Sequence, residues 1–347
     1  MGAVQQRPPL EPIGAVHKAP TDLGEEEAHK LIGQLMENEH FEQLLDETGT
    51  FYKPNGEVLA ILLRNCLPKD LCERARPIIR KAALRQTIAG GNRGTAAGTG
   101  MVPRIRKNGS KAKISGVPTL RNLSQEDYRR LKNASDGLFG YTGRGIRGGQ
   151  VYPCRQTVYK GALPREFRQM MEFVYALELG WRFAASHNSQ VSARLLAQAK
   201  TMCKTPSSFV LRLPKKTTKS GVWHTAFTTV TCNRNWRTAA HKDKGDFKNG
   251  LGVMASLGQF DGCDLVFPRY KAAVRYREGD ILLADVHEVH GNTPLLNPDG
   301  SIPTLDNEPE RLVTVLYYQE NMHRCLGSLE EEQESVNKRK RGDPVYA

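Results

Sequence analysis

From residue 208 onward the chain is cut into short apolar runs, and this segmentation limits the fold more than any other feature. Phe209–Leu213, Ala226–Cys232, Gly252–Leu257, Leu265–Pro268, Ala272–Tyr276, Ile281–Val286 and Leu312–Tyr318 succeed one another, with Asp261-Gly262 and Glu278-Gly279-Asp280 as turn signals between them. Runs this short, bounded by turn residues, read as strands, and many of them at close spacing fold back as a sandwich or barrel. The first half of the chain reads differently. Asp22 is placed to cap a helix that begins with Glu25, Glu26 and Glu27 and carries Leu31, Ile32, Leu35 and Met36 as an apolar stripe. Asn55-Gly56 marks a tight hairpin turn into the strand Val58–Leu63, and Pro68 opens a helix to about Leu84. Two more helices are expected near Pro164–Leu177 and Gln190–Met202, with Met170, Met171, Val174 and Leu177 as core. The expected class is therefore α+β, helices packed on a C-terminal β core.

Charge limits the partners. The formal net charge is +13, more than an enzyme of small neutral substrates needs, and a polyanion is one physical reason to carry it. From Arg74 to Lys113 there are eleven basic residues and no acidic one. The second half of that stretch, Gly90–Lys113, is rich in Gly, Ser and Thr and reads as a flexible basic loop suited to phosphates, or simply as a solvated loop. Ser124 and Asp127 form a capping-box pattern, and Tyr141–Gln150 is a Gly/Arg segment in which Arg147 suits an anionic ligand. The seven cysteines are odd in number and form no CxxC pair, which argues against a disulfide framework or a zinc ribbon. No apolar run approaches a membrane span. Residues 1–21 read as disordered, and Lys338-Arg339-Lys340-Arg341 reads as a nuclear import signal or a charged tail.

His241-Lys242-Asp243 supplies the chemistry. In extended backbone, residues two apart share a face, so an imidazole and a carboxylate can reach one metal. A third ligand must come from elsewhere. His290, 47 residues after Asp243 and just beyond the strand Ile281–Val286, is one candidate. His287 is its rival, because Leu283, Asp285 and His287 alternate along the same strand. Two His and one carboxylate leave open positions suited to a non-haem iron(II) oxygenase. Arg311, opening the strand RLVTVLYY, can fork onto the far carboxylate of a 2-oxo acid. Asn233, Asn235 and Arg237 precede the HxD pair and are candidates to face a base or cosubstrate, with structural hydrogen bonding an equal reading.

The pieces NRNWRTAAHKDKGD (233–246), FDGCDLVFP (260–268), REGDILLADVHEVHGNT (277–293) and RLVTVLYYQE (311–320) together resemble the TET/JBP family of DNA-modifying dioxygenases. GEVLAILLRNCLPKDL (56–71) resembles that family's entry strand and helix, and YPCRQT (152–157), with Arg155, matches more loosely. The resemblance implies a double-stranded β-helix (jelly-roll) core that uses iron(II) and 2-oxoglutarate to oxidise the 5-methyl group of a pyrimidine in DNA. By position it implies His241, Asp243 and His290 as iron ligands, His290 over His287, and Arg311 as the 2-oxoglutarate anchor. Asp246 falls on a position shared with an algal branch that uses ascorbate to attach a glyceryl group to 5-methylcytosine, so ascorbate stands as the alternative cosubstrate. A methyl group inside a duplex is out of reach of a buried metal, so the base would be flipped out, with Tyr152, Phe227 or Trp236 as stacking candidates against a core reading for each. Arg147 and Arg155 complete the candidate substrate contacts. The expected organisation is an N-terminal tail and acidic helix over 1–50, a dioxygenase domain over 51–325 with its β core at about 208–320, and a charged tail over 326–347.

Overall fold

A computed structural model describes residues 13–83, 135–140, 143–147, 150–153, 164–205, 225–304 and 307–324, with residues 333, 337 and 341 beyond them. The elements run β1 (Ala15–Lys18), α1 (Glu25–Lys30), β2 (Gln43–Leu45), β3 (Gly49–Tyr52), β4 (Val58–Leu63), α2 (Lys69–Ala83), β5 (Ser135–Gly140), β6 (Gly143–Arg147) and β7 (Gln150–Pro153). Then come α3 (Pro164–His187), α4 (Ser189–Met202), β8 (Thr229–Arg234), β9 (Gly252–Leu257), β10 (Asp261–Gly262), β11 (Leu265–Phe267), β12 (Ala272–Val274), β13 (Ile281–Ala284), β14 (Gly291–Asn292), β15 (Leu295–Leu296) and β16 (Leu312–Tyr317).

Eight strands form a major sheet in the order β1-β3-β4-β13-β9-β16-β8-β5, and four form a minor sheet in the order β14-β11-β12-β2. Period-two alternation assigns each residue to a layer. Val230 and Cys232 of β8, Val253, Ala255 and Leu257 of β9, and Leu312 and Leu316 of β16 pack with Ile78 and Ile79 of α2 and with Met170, Val174 and Trp181 of α3. Residues of the other parity, including Met254, Leu282, Ala284 and Val315, pack with Leu265, Phe267, Val274 and Tyr276 at the minor sheet. The major sheet thus has helices on one face and the minor sheet on the other, which is the jelly-roll arrangement with packed helices that the resemblance implies. β4, VLAILL, is buried at all of its positions because it lies inside the sheet with apolar layers on both sides. The Asn55-Gly56 turn closes the β3–β4 hairpin as expected, with Gly56 at φ 87°.

Several elements depart from the sequence expectation. Residues 1–50 are not a tail throughout: β1 pairs in parallel with β3, and β2 pairs in parallel with β12, so this stretch extends both sheets. The reading of 1–21 as disordered fails at Ala15–Lys18, which form β1. The acidic helix ends at Lys30, capped by Gly24 rather than Asp22. Its expected stripe at Leu31, Ile32 and Met36 is apolar for another reason: these residues pack with Ala240, Val266 and Val289. α3 runs on past Leu177 to His187. Of the eleven cations of the basic stretch, Arg76, Arg80 and Lys81 lie in α2 and are committed to ion pairs, with Glu278, Glu310 and Glu166 respectively. Gly90–Lys113, the Ser124/Asp127 pattern and Phe209–Leu213 lie outside the described residues, as does most of 326–347. No helix among the described residues is long and apolar enough to cross a membrane.

Phe227 is fully buried, with its ring 5.3 Å from that of Trp181 between the major sheet and α3. Truncation there leaves a cavity between the sheet and the helix. Phe227→Ala is expected to lower the unfolding free energy by about 3–5 kcal/mol, measured by urea denaturation; a loss near zero would contradict this packing.

Candidate metal centre

β8 leaves the major sheet at Arg234, and the chain turns through Asn235, which is held at φ 49°. Both ends of the Asn235 amide are spent locally: Nδ2 donates to the Pro309 carbonyl, and Oδ1 accepts from the Arg311 N–H. The segment then runs beside the residues that follow β13. His241 N–H donates to the His290 carbonyl and His290 N–H to the His241 carbonyl, each at 2.9 Å. This reciprocal pair makes an antiparallel bridge that sets the two histidines opposite each other, with ring centroids 4.3 Å apart. Asp243 N–H reaches the Val286 carbonyl at 3.0 Å, which fixes the third member from the same turn.

One donor atom from each of His241, Asp243 and His290 lies within 4.8 Å of the other two. The tautomers are set by the backbone. Nδ1 of His241 donates to the Ala239 carbonyl at 2.7 Å, and Nδ1 of His290 donates to the Glu288 carbonyl at 2.9 Å. Each neutral ring therefore keeps its lone pair on Nε2, and both Nε2 atoms face the Asp243 carboxylate, at 3.7 and 3.8 Å. Two imidazole nitrogens and a carboxylate, oriented in this way, fit a single divalent cation of the iron group. Gly291 allows the close approach: a Cβ there would stand 2.9 Å from both the Ala240 nitrogen and the Met36 side chain.

Arg311 is 2% exposed and faces the interior between the sheets, by alternation with Val313 and Val315. Nη1 donates to the Trp236 carbonyl at 3.1 Å and Nη2 to the Tyr276 hydroxyl at 2.9 Å, while Nε has no partner among the described residues. No acidic group among the described residues pairs with this guanidinium. A buried cation without a counterion is costly unless an anion joins it. Its neighbour Tyr276 belongs to the same buried cluster as Phe267, whose ring lies 6.2 Å from that of His290. Arg311 and the donor set of His241, Asp243 and His290 thus border one interior. The same face carries two further buried atoms without partners among the described residues, Asn233 Oδ1 and Ser256 Oγ, on the strands that flank Val313. An interior with this many unmet polar atoms is built for a polar ligand.

The remaining candidates separate cleanly. Arg237 is buried and donates to the carbonyls of Asn292 and Met36 and to the Glu37 carboxylate, so it ties the N-terminal segment to the site. Asp246 N–H meets the Asp243 carbonyl at 3.3 Å, and its own carbonyl accepts from His287 Nε2 at 3.3 Å, next to the donor set but outside it. His287 is not the third ligand: its Nδ1 pairs with Asp285 at 3.3 Å. That hydrogen bond raises its pKa. Burial works against the Asp285 charge, yet the His287 bond and the nearby charges of Lys53 and Arg194 hold its carboxyl well below the usual range. Phe227 and Trp236 are fully packed core residues rather than exposed stacking platforms. Arg147 lies in β6, and Arg155 lies outside the described residues. Sequence reasoning passed over Ser256, Tyr276 and Lys53. Alternation with Met254 was the one signal for Ser256, and Lys53 showed only its local partner Glu57, because Asp285 and Glu288 lie more than 200 residues away.

A jelly roll that brings two imidazoles and one carboxylate to a point, beside a buried arginine with no acidic partner among the described residues, has the donor set of a mononuclear metal oxygenase. Residues 182–320 match the Tet_JBP family model, the oxygenase domain of the 2OGFeDO superfamily of 2-oxoglutarate- and iron-dependent dioxygenases, and the chain carries an oxygenase domain of that family. The protein named bifunctional helicase and thymine dioxygenase JBP2 from Leishmania braziliensis is 49% identical over 263 residues, covering 74% of this chain and 19% of the relative. Its counterpart from Trypanosoma cruzi is 30% identical over 262 residues, with the same coverage. A solved structure of NgTET1 in complex with 5mC DNA aligns at TM-score 0.45 and 13% identity, over 84% of this chain and 88% of that one. The chain spans about a fifth of the length of these JBP2 relatives.

Burial, followed by the nearby His241 ring, lowers the His290 pKa to about 4 from 6.5. With the metal stripped, the folded protein keeps this ring neutral where the unfolded chain would protonate it. The stability it contributes is present above about pH 6.5 and is lost as pH falls toward 4. Chelator-treated protein is expected to lose more unfolding free energy between pH 7.5 and pH 5 than a His290→Asn variant, by urea titration. Equal losses would contradict the assignment.

Proposed function

We propose that this chain oxidises the 5-methyl group of a pyrimidine in DNA, with iron(II) held by His241, Asp243 and His290 and with 2-oxoglutarate anchored by Arg311. The observation that carries the reading is the joint presence, around one interior, of a metal donor set with fixed tautomers and a buried guanidinium with no acidic partner among the described residues. Bound iron(II) and 2-oxoglutarate supply, from dioxygen, the oxidising power to break a methyl C–H bond. The chain's own residues prepare the reactants. Nδ1–H bonds to backbone carbonyls keep both Nε2 lone pairs on the metal side. The Trp236 carbonyl and Tyr276 hydroxyl aim the Arg311 fork, leaving Nε to meet a carboxylate. Phe260, 5.5 Å beneath the guanidinium, helps to keep water out.

His290 is only 4% exposed, so a methyl group stacked in a duplex cannot come within reach, and the nucleotide enters flipped. The +13 charge, to which Gly90–Lys113 contributes six cations and no acid, is the source of attraction for the phosphates. Thymine is the favoured base, because the relatives that match over most of this chain bear the name thymine dioxygenase. The Lys338–Arg341 cluster suits import into a nucleus. The alternative, an ascorbate-dependent reaction, would draw on Asp246, whose backbone sits against Asp243 and His287.

Nucleoside mass spectrometry tests the reading. Thymine-containing and 5-methylcytosine-containing duplexes are incubated with iron(II) and either 2-oxoglutarate or ascorbate. The expected product is a 5-hydroxymethyl nucleoside with an equivalent of succinate, in the 2-oxoglutarate arm alone, and absent with Asp243→Ala. A glyceryl adduct in the ascorbate arm, or no oxidised base in any arm, would refute it.

A further inference from the structure

Beside the metal centre, yet outside it, lies a buried charge network that nothing above employs. Lys53, at the end of β3, is 5% exposed, and its ammonium donates to Asp285 Oδ2 at 3.0 Å and to Glu288 Oε1 at 2.8 Å. Arg194 of α4 reaches the same Asp285 oxygen at 3.2 Å and the Gly250 carbonyl at 3.2 Å. Tyr270 donates its hydroxyl to Glu288 Oε1 at 2.9 Å, and Arg269 approaches the other Glu288 oxygen at 3.4 Å while also holding Asp22.

Both carboxylates belong to the turn that follows β13, and that turn makes the site's orienting contacts. Glu288 N–H closes it on the Asp285 carbonyl at 3.1 Å. The Glu288 carbonyl fixes the His290 tautomer at 2.9 Å, and the Val286 carbonyl, between the two, receives the Asp243 N–H at 3.0 Å. Lys53 therefore grips both ends of a four-residue turn whose carbonyls orient two of the three metal-binding side chains. Stability alone does not account for such a network, since buried ion pairs often match apolar replacements of equal volume. Its distinctive effect is to hold one backbone geometry.

We infer that Lys53 is a positioning residue for the metal centre, acting through Asp285 and Glu288 to fix the turn that presents His290 and anchors Asp243. The inference rests on the metal centre proposed above and extends it to a residue that touches neither metal nor substrate. Loss of such outer contacts typically weakens metal binding about 10- to 100-fold.

The test titrates the full chain, metal-stripped and then reloaded, with cobalt(II), following the visible d–d bands without substrate or turnover. Lys53→Met keeps the length of the side chain and removes the charge. The expected result is a cobalt Kd raised about 10- to 100-fold, with shifted bands. Arg76→Met, which breaks a part-buried ion pair to Glu278 away from this turn, serves as the control and is expected to keep the parent Kd and bands. Should Lys53→Met fail to fold, Tyr270→Phe removes one hydroxyl from Glu288 and is expected to raise the Kd by a smaller factor with the same band shift. Parent affinity and parent bands in the variant that folds would overturn the inference. A parent chain that binds no cobalt would instead overturn the metal centre, and the positioning role with it.

Discussion

Two backbone hydrogen bonds between residues 241 and 290 hold the rest of the site in place. They join segments that β8 and β13 deliver from separate parts of the major sheet, and they place one histidine against another before any side chain is considered. Everything nearby protects that bridge. Gly291 allows the two backbones to approach, and the N-terminal segment reaches over to make backbone bonds from Gly33 to Ala240 and from Ala240 to Gln34. The exchange of both N–H groups between one residue pair leaves little freedom in where the imidazoles point. Chelation then needs side-chain rotation alone rather than backbone rearrangement.

A division of labour between the faces of the major sheet follows from strand alternation. In β8 the residues Val230 and Cys232 meet the helices, while Thr229, Thr231 and Asn233 have the opposite parity. β16 repeats the pattern, with Leu312 and Leu316 outward and Arg311 and Val315 inward. The helical side is therefore a conventional apolar core that supplies stability. The inner side can carry a buried arginine and orphaned oxygens whose desolvation cost is offset when a polar cosubstrate is present. The ionic network around Lys53 extends the same logic outward, using buried charge to fix geometry close to the metal-binding side chains.

Much of this was legible in the sequence because the information is local. Strand-length apolar runs, the Asn55-Gly56 turn and the His-x-Asp pair each carry their signal within a few residues. The choice of His290 over His287 was not local. Alternation alone favoured His287, and the structure shows why it fails: Asp285 and the Asp246 carbonyl hold that ring away from the donor set. The N-terminal region misled in the same way. Leu31, Ile32 and Met36 have helical spacing, yet Gly33 at φ 89° ends any helix, and the residues are apolar because they cover Ala240 and Val289. Arg76, Arg80 and Lys81 of α2 give no local sign of their partners, because Glu278, Glu310 and Glu166 come from distant elements. Lys53 is the extreme case, since its meaning depends on a turn more than 200 residues away.

The central claim is that the donor set and the Arg311 guanidinium form one site. Calorimetric titration of 2-oxoglutarate into anaerobic protein, with and without iron(II), tests it most directly. One binding event per chain is expected, requiring both the metal and the arginine: tight in the parent with iron, and weakened at least about tenfold by omitting iron, by Asp243→Ala or by Arg311→Met, since a charge-assisted pair is worth about 1.5–3 kcal/mol. Binding of 2-oxoglutarate that ignores the metal, or that survives Arg311→Met unchanged, would contradict it.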